Sequence, residues 1–87
     1  MKVIWSPLSL ERLSEIEAYL AERSATKAAK TVVVLTERAD SLVFMPRRGR
    51  KVPEIGDEVL RELIVGDYRL IYEVRDAEQR IEILTVI

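Results

Sequence analysis

The stretch Val59–Tyr72, VLRELIVGDYRLIY, constrains this chain more than any other. Two runs of branched, apolar and aromatic residues flank Gly66-Asp67, the pattern of two strands joined by a two-residue turn. Gly66 reaches positive φ at no steric cost and Asp tolerates the left-handed region, so the spacing predicts a primed hairpin turn. Such a turn sets the register. Val65 stands opposite Tyr68, Ile64 opposite Arg69, Leu63 opposite Leu70, Glu62 opposite Ile71, Arg61 opposite Tyr72 and Leu60 opposite Glu73. Paired residues share a face and faces alternate along a strand. Arg61, Leu63, Val65, Tyr68, Leu70 and Tyr72 therefore form one face, the natural core face. Leu60, Glu62, Ile64, Arg69, Ile71 and Glu73 form the other.

The rest of the chain supplies layers for this hairpin. Lys2–Trp5 reads as a short strand with Val3 and Trp5 on one face. Ser6-Pro7 is an N-cap followed by a first helical position, where the missing N–H of Pro removes nothing. Leu10, Leu13, Ile16 and Leu20 recur at helical steps, predicting a first helix to about Arg23. Ser24 caps a second helix whose stripe runs Ala25, Ala28, Val32, Leu35, Ala39 and Leu42. That period outweighs the β-propensity of Thr31–Val34, and Pro46 is expected to end the helix. After Tyr72 the strand continues to about Arg75. Asp76–Gln79 is a polar turn, and Arg80–Ile87 is a last strand in which Ile81, Ile83 and Thr85 alternate with Glu82, Leu84 and Val86. The expected fold is one α+β domain over residues 1–87, in the order β-α-α-β-β-β. A helical hairpin covers one face of a mainly antiparallel sheet.

Composition excludes much chemistry. The 87 residues allow a single modest core, and a chain 48% hydrophobic and 33% charged should fold. The sequence contains neither Cys nor His. That removes disulfides, thiolate ligands, the usual general base and any His-based nucleophile triad. No Gly-rich phosphate loop is present. No apolar run approaches the roughly 18 residues of a membrane span, and no signal-peptide pattern opens the chain. A cytoplasmic protein without metal or cofactor is the expectation. Formal net charge is −1, so global charge does not signal nucleic-acid binding.

Two local features remain. Arg47-Arg48-Gly49-Arg50-Lys51 is the one basic cluster, read either as a solvated loop or as a contact for phosphate or an acidic partner. On the outer face of the hairpin, Leu60, Ile64 and Ile71 lack a third layer to cover them. They are expected to form an exposed apolar patch flanked by charge, the usual mark of a binding surface. Arg69 is diagonal to Glu62 there, as an exposed ion pair. Arg61, opposite Tyr72, is expected to be structural, stacking on the ring or binding helix-terminal carbonyls.

A Trp-Ser start into a helical hairpin, then P-x-x-G-R-x-V-P-E over Pro46–Glu54, then R-E-L-I-x-G-x-Y-R-L-I-Y over Arg61–Tyr72, resembles the RelE/ParE toxin superfamily of type II toxin–antitoxin operons. The likeness spans nearly the whole chain. RelE-like members cut messenger RNA on the ribosome with a basic cluster on the sheet, whereas ParE-like members poison DNA gyrase. Arg69 matches the arginine of the shared Y-R motif. Leu60 and Glu62 stand where RelE carries lysines, and a cleft that stabilises a phosphorane should not offer them. The G-R-x-V-P-E stretch is also ParE-like. Many members continue into a His- and Arg-containing tail, so a chain ending at Ile87 is expected to be shortened or reduced in toxicity.

The resemblance thus implies a non-enzymatic gyrase inhibitor, neutralised in a hetero-oligomer by a ParD-like antitoxin. Arg47, Arg48, Arg50, Lys51, Leu60, Glu62, Ile64, Arg69 and Ile71 are the candidate antitoxin- or target-binding residues. The grooves beside the helical hairpin could also accept an amphipathic segment. Direct nucleic-acid binding is not expected. The alternative is a RelE-like ribosome-dependent ribonuclease with Arg50, Arg61 and Arg69 holding the scissile phosphate.

Overall fold

Gly66 sits at φ +59 while Asp67 stays out of the positive region. The hairpin turn therefore takes positive φ at its first position alone, as a II′ turn does. The strands it joins, β3 (Leu60–Val65) and β4 (Tyr68–Arg75), pair antiparallel in the expected register from Val65↔Tyr68 to Leu60↔Glu73. The structure is a computed structural model describing residues 1–87.

Around the hairpin lie β1 (Lys2–Trp5), α1 (Pro7–Ala21), α2 (Ala25–Asp40), β2 (Arg50–Lys51) and β5 (Arg80–Val86). The five-stranded sheet has the order β1-β5-β4-β3-β2, antiparallel except where β1 runs parallel to β5. The two helices pack on each other and on the sheet, α1 against β5 and α2 against β3. The α+β layering is as the sequence pattern predicts, with one strand more. The added strand is β2, formed by Arg50-Lys51 at the end of the basic cluster, all of which is placed in a loop by the sequence reading. Two charged residues carry no alternation signal, so only pairing with β3 makes them a strand.

The caps explain where the helices begin. Ser6 Oγ accepts from Ser9 N–H and donates to the Leu84 carbonyl, tying the start of α1 to β5. Ser24 Oγ accepts from Lys27 N–H at the start of α2. Two expectations need correction. Leu10 is exposed, and the fully buried residue of that turn is Ser9, whose hydroxyl donates to the Ser6 carbonyl. A small polar side chain satisfied locally can enter a core that Leu cannot reach at that angle. Helix α2 also stops at Asp40, before Pro46 can act. Ser41 Oγ donates to the Arg38 carbonyl, and a tight turn over Ser41–Val43 follows, closed by Phe44 N–H on the Ser41 carbonyl. Leu42 still continues the buried stripe from that turn.

The last strand differs in its faces. Ile71 pairs with Thr85 but Tyr72 pairs with Ile83, leaving Leu84 as an extra residue. This β-bulge flips the end of β5, so Val86 joins Ile81 and Ile83 in the core in place of Thr85. The core gathers Leu35, Ala39 and Leu42 over Val65, Leu70, Tyr72, Val74, Ile81, Ile83 and Val86, with Trp5, Leu13 and Ile16 packed at its margin. No helix is long and apolar enough to cross a membrane.

Candidate functional site

The outer face of the sheet is organised by a carboxylate. Glu62 points away from the helices but is only 1% exposed. Strand β4 brings Arg69 diagonally to it, and β2 places Arg50 directly opposite. Glu62 Oε2 accepts from Arg69 Nε at 2.8 Å and Oε1 accepts from Arg69 Nη2 at 3.1 Å. Arg50 Nε lies 3.3 Å from the same Oε1. Burial by itself pushes a carboxyl up, because it disfavours the charged form. The hydrogen bond from Arg69 outweighs that, and with Arg50 it holds the Glu62 carboxyl below the usual range.

A second carboxylate reaches the same guanidinium from outside. After β2 the chain turns back, with Ile55 and Gly56 N–H both donating to the Val52 carbonyl. Glu54, carried on this exposed turn, accepts from Arg69 Nη1 at 3.3 Å and Nη2 at 3.2 Å. Its own backbone N–H and Arg69 both lower its carboxyl from the ordinary value. Arg69 is held more firmly charged by Glu62 and then Glu54. Two arginines and two glutamates thus form a network of balanced charge.

The other candidate residues are dispersed. Arg47 pairs with Asp76, Arg48 donates to Ser41 Oγ at 2.9 Å, and Lys51 lies 2.7 Å from Glu58. The basic cluster is therefore not one continuous patch. Arg61 is held by loop groups rather than by the Tyr72 ring or the helix-terminal carbonyls expected of it. It donates to the carbonyls of Gly49 and Glu58, both at 3.1 Å, and to the Glu58 carboxylate. Register puts Arg61 on the opposite face from Arg69, so Arg50, Arg61 and Arg69 do not share one cradle.

The exposed apolar patch also needs revision. Ile71 is 9% exposed and Leu60 half-buried, leaving Ile64 as its one open member. Val52, whose N–H donates to the Leu60 carbonyl at 3.3 Å, is itself buried and extends the apolar surface beside Leu60. The Arg69–Glu62 pair is likewise not the surface pair its sequence position suggests.

Sequence reasoning passed over two further features. Gly49 N–H donates to Tyr72 Oη at 2.9 Å, and a Cβ on Gly49 would lie 2.5 Å from both that oxygen and the Glu62 carbonyl. This contact seats the strand that carries Arg50. The other is Glu54, present in the P-x-x-G-R-x-V-P-E motif but with no local signal for a partner fifteen residues away. On the helical side, a groove of about 520 Å³ opens between the helical hairpin and the β3–β4 turn. Leu20, Val34, Leu35 and Val65 form its floor, and Lys27, Lys30, Asp67, Tyr19 and Tyr68 line it further. No group of side chains gathers to hold a metal ion.

Among curated proteins, none matches the sequence. The fold matches a solved structure, the chromosomal ParDE TA system from P. aeruginosa, with a TM-score of 0.78. The two are 21% identical, over 99% of this chain and 92% of that one. A family model described as the ParE toxin of the type II toxin–antitoxin system parDE matches residues 3–87. That match takes in both strands and helices and the whole outer-face network, so the chain belongs to the ParE toxin family of type II toxin–antitoxin systems.

Proposed function

We propose that the protein inhibits DNA gyrase by binding it and is held inactive by a ParD-like antitoxin. The observation that carries this reading is the position of Glu62. A ribonuclease of RelE type would need its sheet arginines free to stabilise negative charge developing on a phosphate. Here Arg50 and Arg69 converge instead on a buried carboxylate, and Arg61 turns to the other face to bind Gly49 and Glu58. Such an arrangement builds a rigid surface rather than a phosphate cradle. The groove beside the helical hairpin supports the antitoxin half of the proposal. Its apolar floor and two lysines suit an amphipathic, acidic segment that folds on binding.

The test is a supercoiling assay with purified gyrase, plasmid and ATP. Stoichiometric protein should abolish supercoiling and accumulate cleaved DNA, and the antitoxin encoded beside it should restore activity. Unchanged supercoiling together with ribosome-dependent message cleavage, lost on Arg69→Ala, would reverse the assignment.

A further inference from the structure

The Glu62 network contains two unequal carboxylates. Glu62 is sealed between strands, with Arg69 Nε at 2.8 Å. Glu54 touches the same guanidinium at 3.2 and 3.3 Å from a side chain 63% exposed. It sits on a turn in which every residue from Pro53 to Val59 is exposed. Moving the Glu54 side chain therefore withdraws no buried group. Arg50 is 65% exposed, and Glu62 takes only its Nε edge at 3.3 Å. No hydrogen bond within the chain engages the Arg50 Nη groups, and Arg50 and Arg69 meet on the one Glu62 carboxylate.

We propose that this edge is a docking point for a carboxylate on an acidic protein segment, and that Glu54 occupies it in the free protein. Charge sets the class of ligand. Arg50 and Arg69 carry two positive charges and Glu62 one negative, so one monoanion balances the site. A carboxylate replaces Glu54 without net change, and the planar guanidinium matches it with two parallel hydrogen bonds. A phosphomonoester carries about −1.5 to −2 and would overcharge a site already holding a buried glutamate. Ile64, half exposed on the same face, offers an apolar neighbour for a side chain of such a segment. By register no aromatic residue of β3 or β4 lies on that face, so the stacking platform that single-stranded nucleic acid uses is missing there. Taking the segment as the antitoxin's rests on the function proposed above; the exchange itself does not.

Nuclear magnetic resonance of arginine side chains reads the exchange directly, with the α-methylamide of N-acetylglutamate, which carries a single carboxylate, as the probe on the full chain. Shifts should centre on the Nη groups of Arg69 and Arg50 while Arg69 Nε, held by Glu62, stays in place. Glu54→Gln removes the competitor and should tighten binding roughly twofold to fivefold, the range an exposed ion pair represents. Arg69→Lys, checked for folding by circular dichroism, should abolish the response at Arg50 Nη, because an ammonium lacks the fork that seats the carboxylate. Equal or weaker binding to Glu54→Gln, or no response in either protein, overturns the proposal. A single-stranded RNA oligonucleotide that perturbs the same groups more than the N-acetylglutamate amide overturns it in favour of nucleic acid. Because no antitoxin enters this titration, its failure is separate from failure of the gyrase assay.

Discussion

Tyr72 and Gly49 act as one unit at the residue scale. The tyrosine ring is fully buried, burial pushes its hydroxyl up, and its oxygen accepts the Gly49 N–H. Tyr72→Phe leaves that N–H buried without a partner and should destabilise by about 1–3 kcal/mol. Gly49→Ala should cost at least as much, because its Cβ meets the Glu62 carbonyl, which cannot swing aside as a side-chain tip can. Urea denaturation of the two variants measures both effects. For the Arg69–Glu62 pair the order of effects matters. Arg69→Ala leaves a buried carboxylate with only Arg50 and should lower the melting temperature more than Glu62→Gln. Replacing both residues by Leu should recover much of the loss, because a buried pair's attraction largely offsets its own desolvation. A double variant less stable than Arg69→Ala alone would contradict that account.

At the scale of elements, the hairpin and the caps are what local sequence specifies. Gly66 at φ +59 predicts that Gly66→Ala costs about 1 kcal/mol, since an L side chain in the left-handed region meets its own backbone. Ser6→Ala should cost about 0.5–2 kcal/mol, as a lost helix cap does, and should also loosen α1 from the Leu84 carbonyl. Hydrogen exchange would place that second effect at the end of β5. The register of β3 with β4 was legible because two residues of turn determine it. The register of β4 with β5 was not. Its bulge at Leu84 follows from which of Thr85 and Val86 the core accepts, and alternation along one strand cannot report a partner's slip. Helix α2 misled for a related reason. Its stripe runs past Asp40 into Leu42, so periodicity hides the tightening that Ser41 starts.

For the molecule as a whole, a small core and a network of ion pairs share the stability. Leu35 is fully buried where α2 meets the sheet, and Leu35→Ala should remove about 2–5 kcal/mol. Acid should act on the ion pairs. Glu54, Glu58, Glu62 and Glu78 all lie below the ordinary 4.5, the first through its own backbone N–H and the others mainly through Lys51, Arg69 and Arg75 respectively. A depressed folded-state value means the unfolded chain binds protons first. Their contribution is therefore complete above the unfolded value and is lost as pH falls through the folded ones. Urea midpoints should be level from neutrality to about pH 5 and fall below about pH 4. Glu62→Gln should flatten part of that fall.

By itself the sequence determined the helical hairpin, the β-hairpin and its faces, and the family, because each rests on contacts within a few residues or on whole motifs. Tertiary structure decided that Glu62 is buried, that Arg50 and Glu54 join Arg69, and that Arg61 stays away from them. Those outcomes depend on where the segment Gly49–Val59 crosses the sheet. That crossing is set by a buried hydrogen bond to Tyr72 and a two-residue strand, interactions between residues far apart in sequence that no local periodicity encodes.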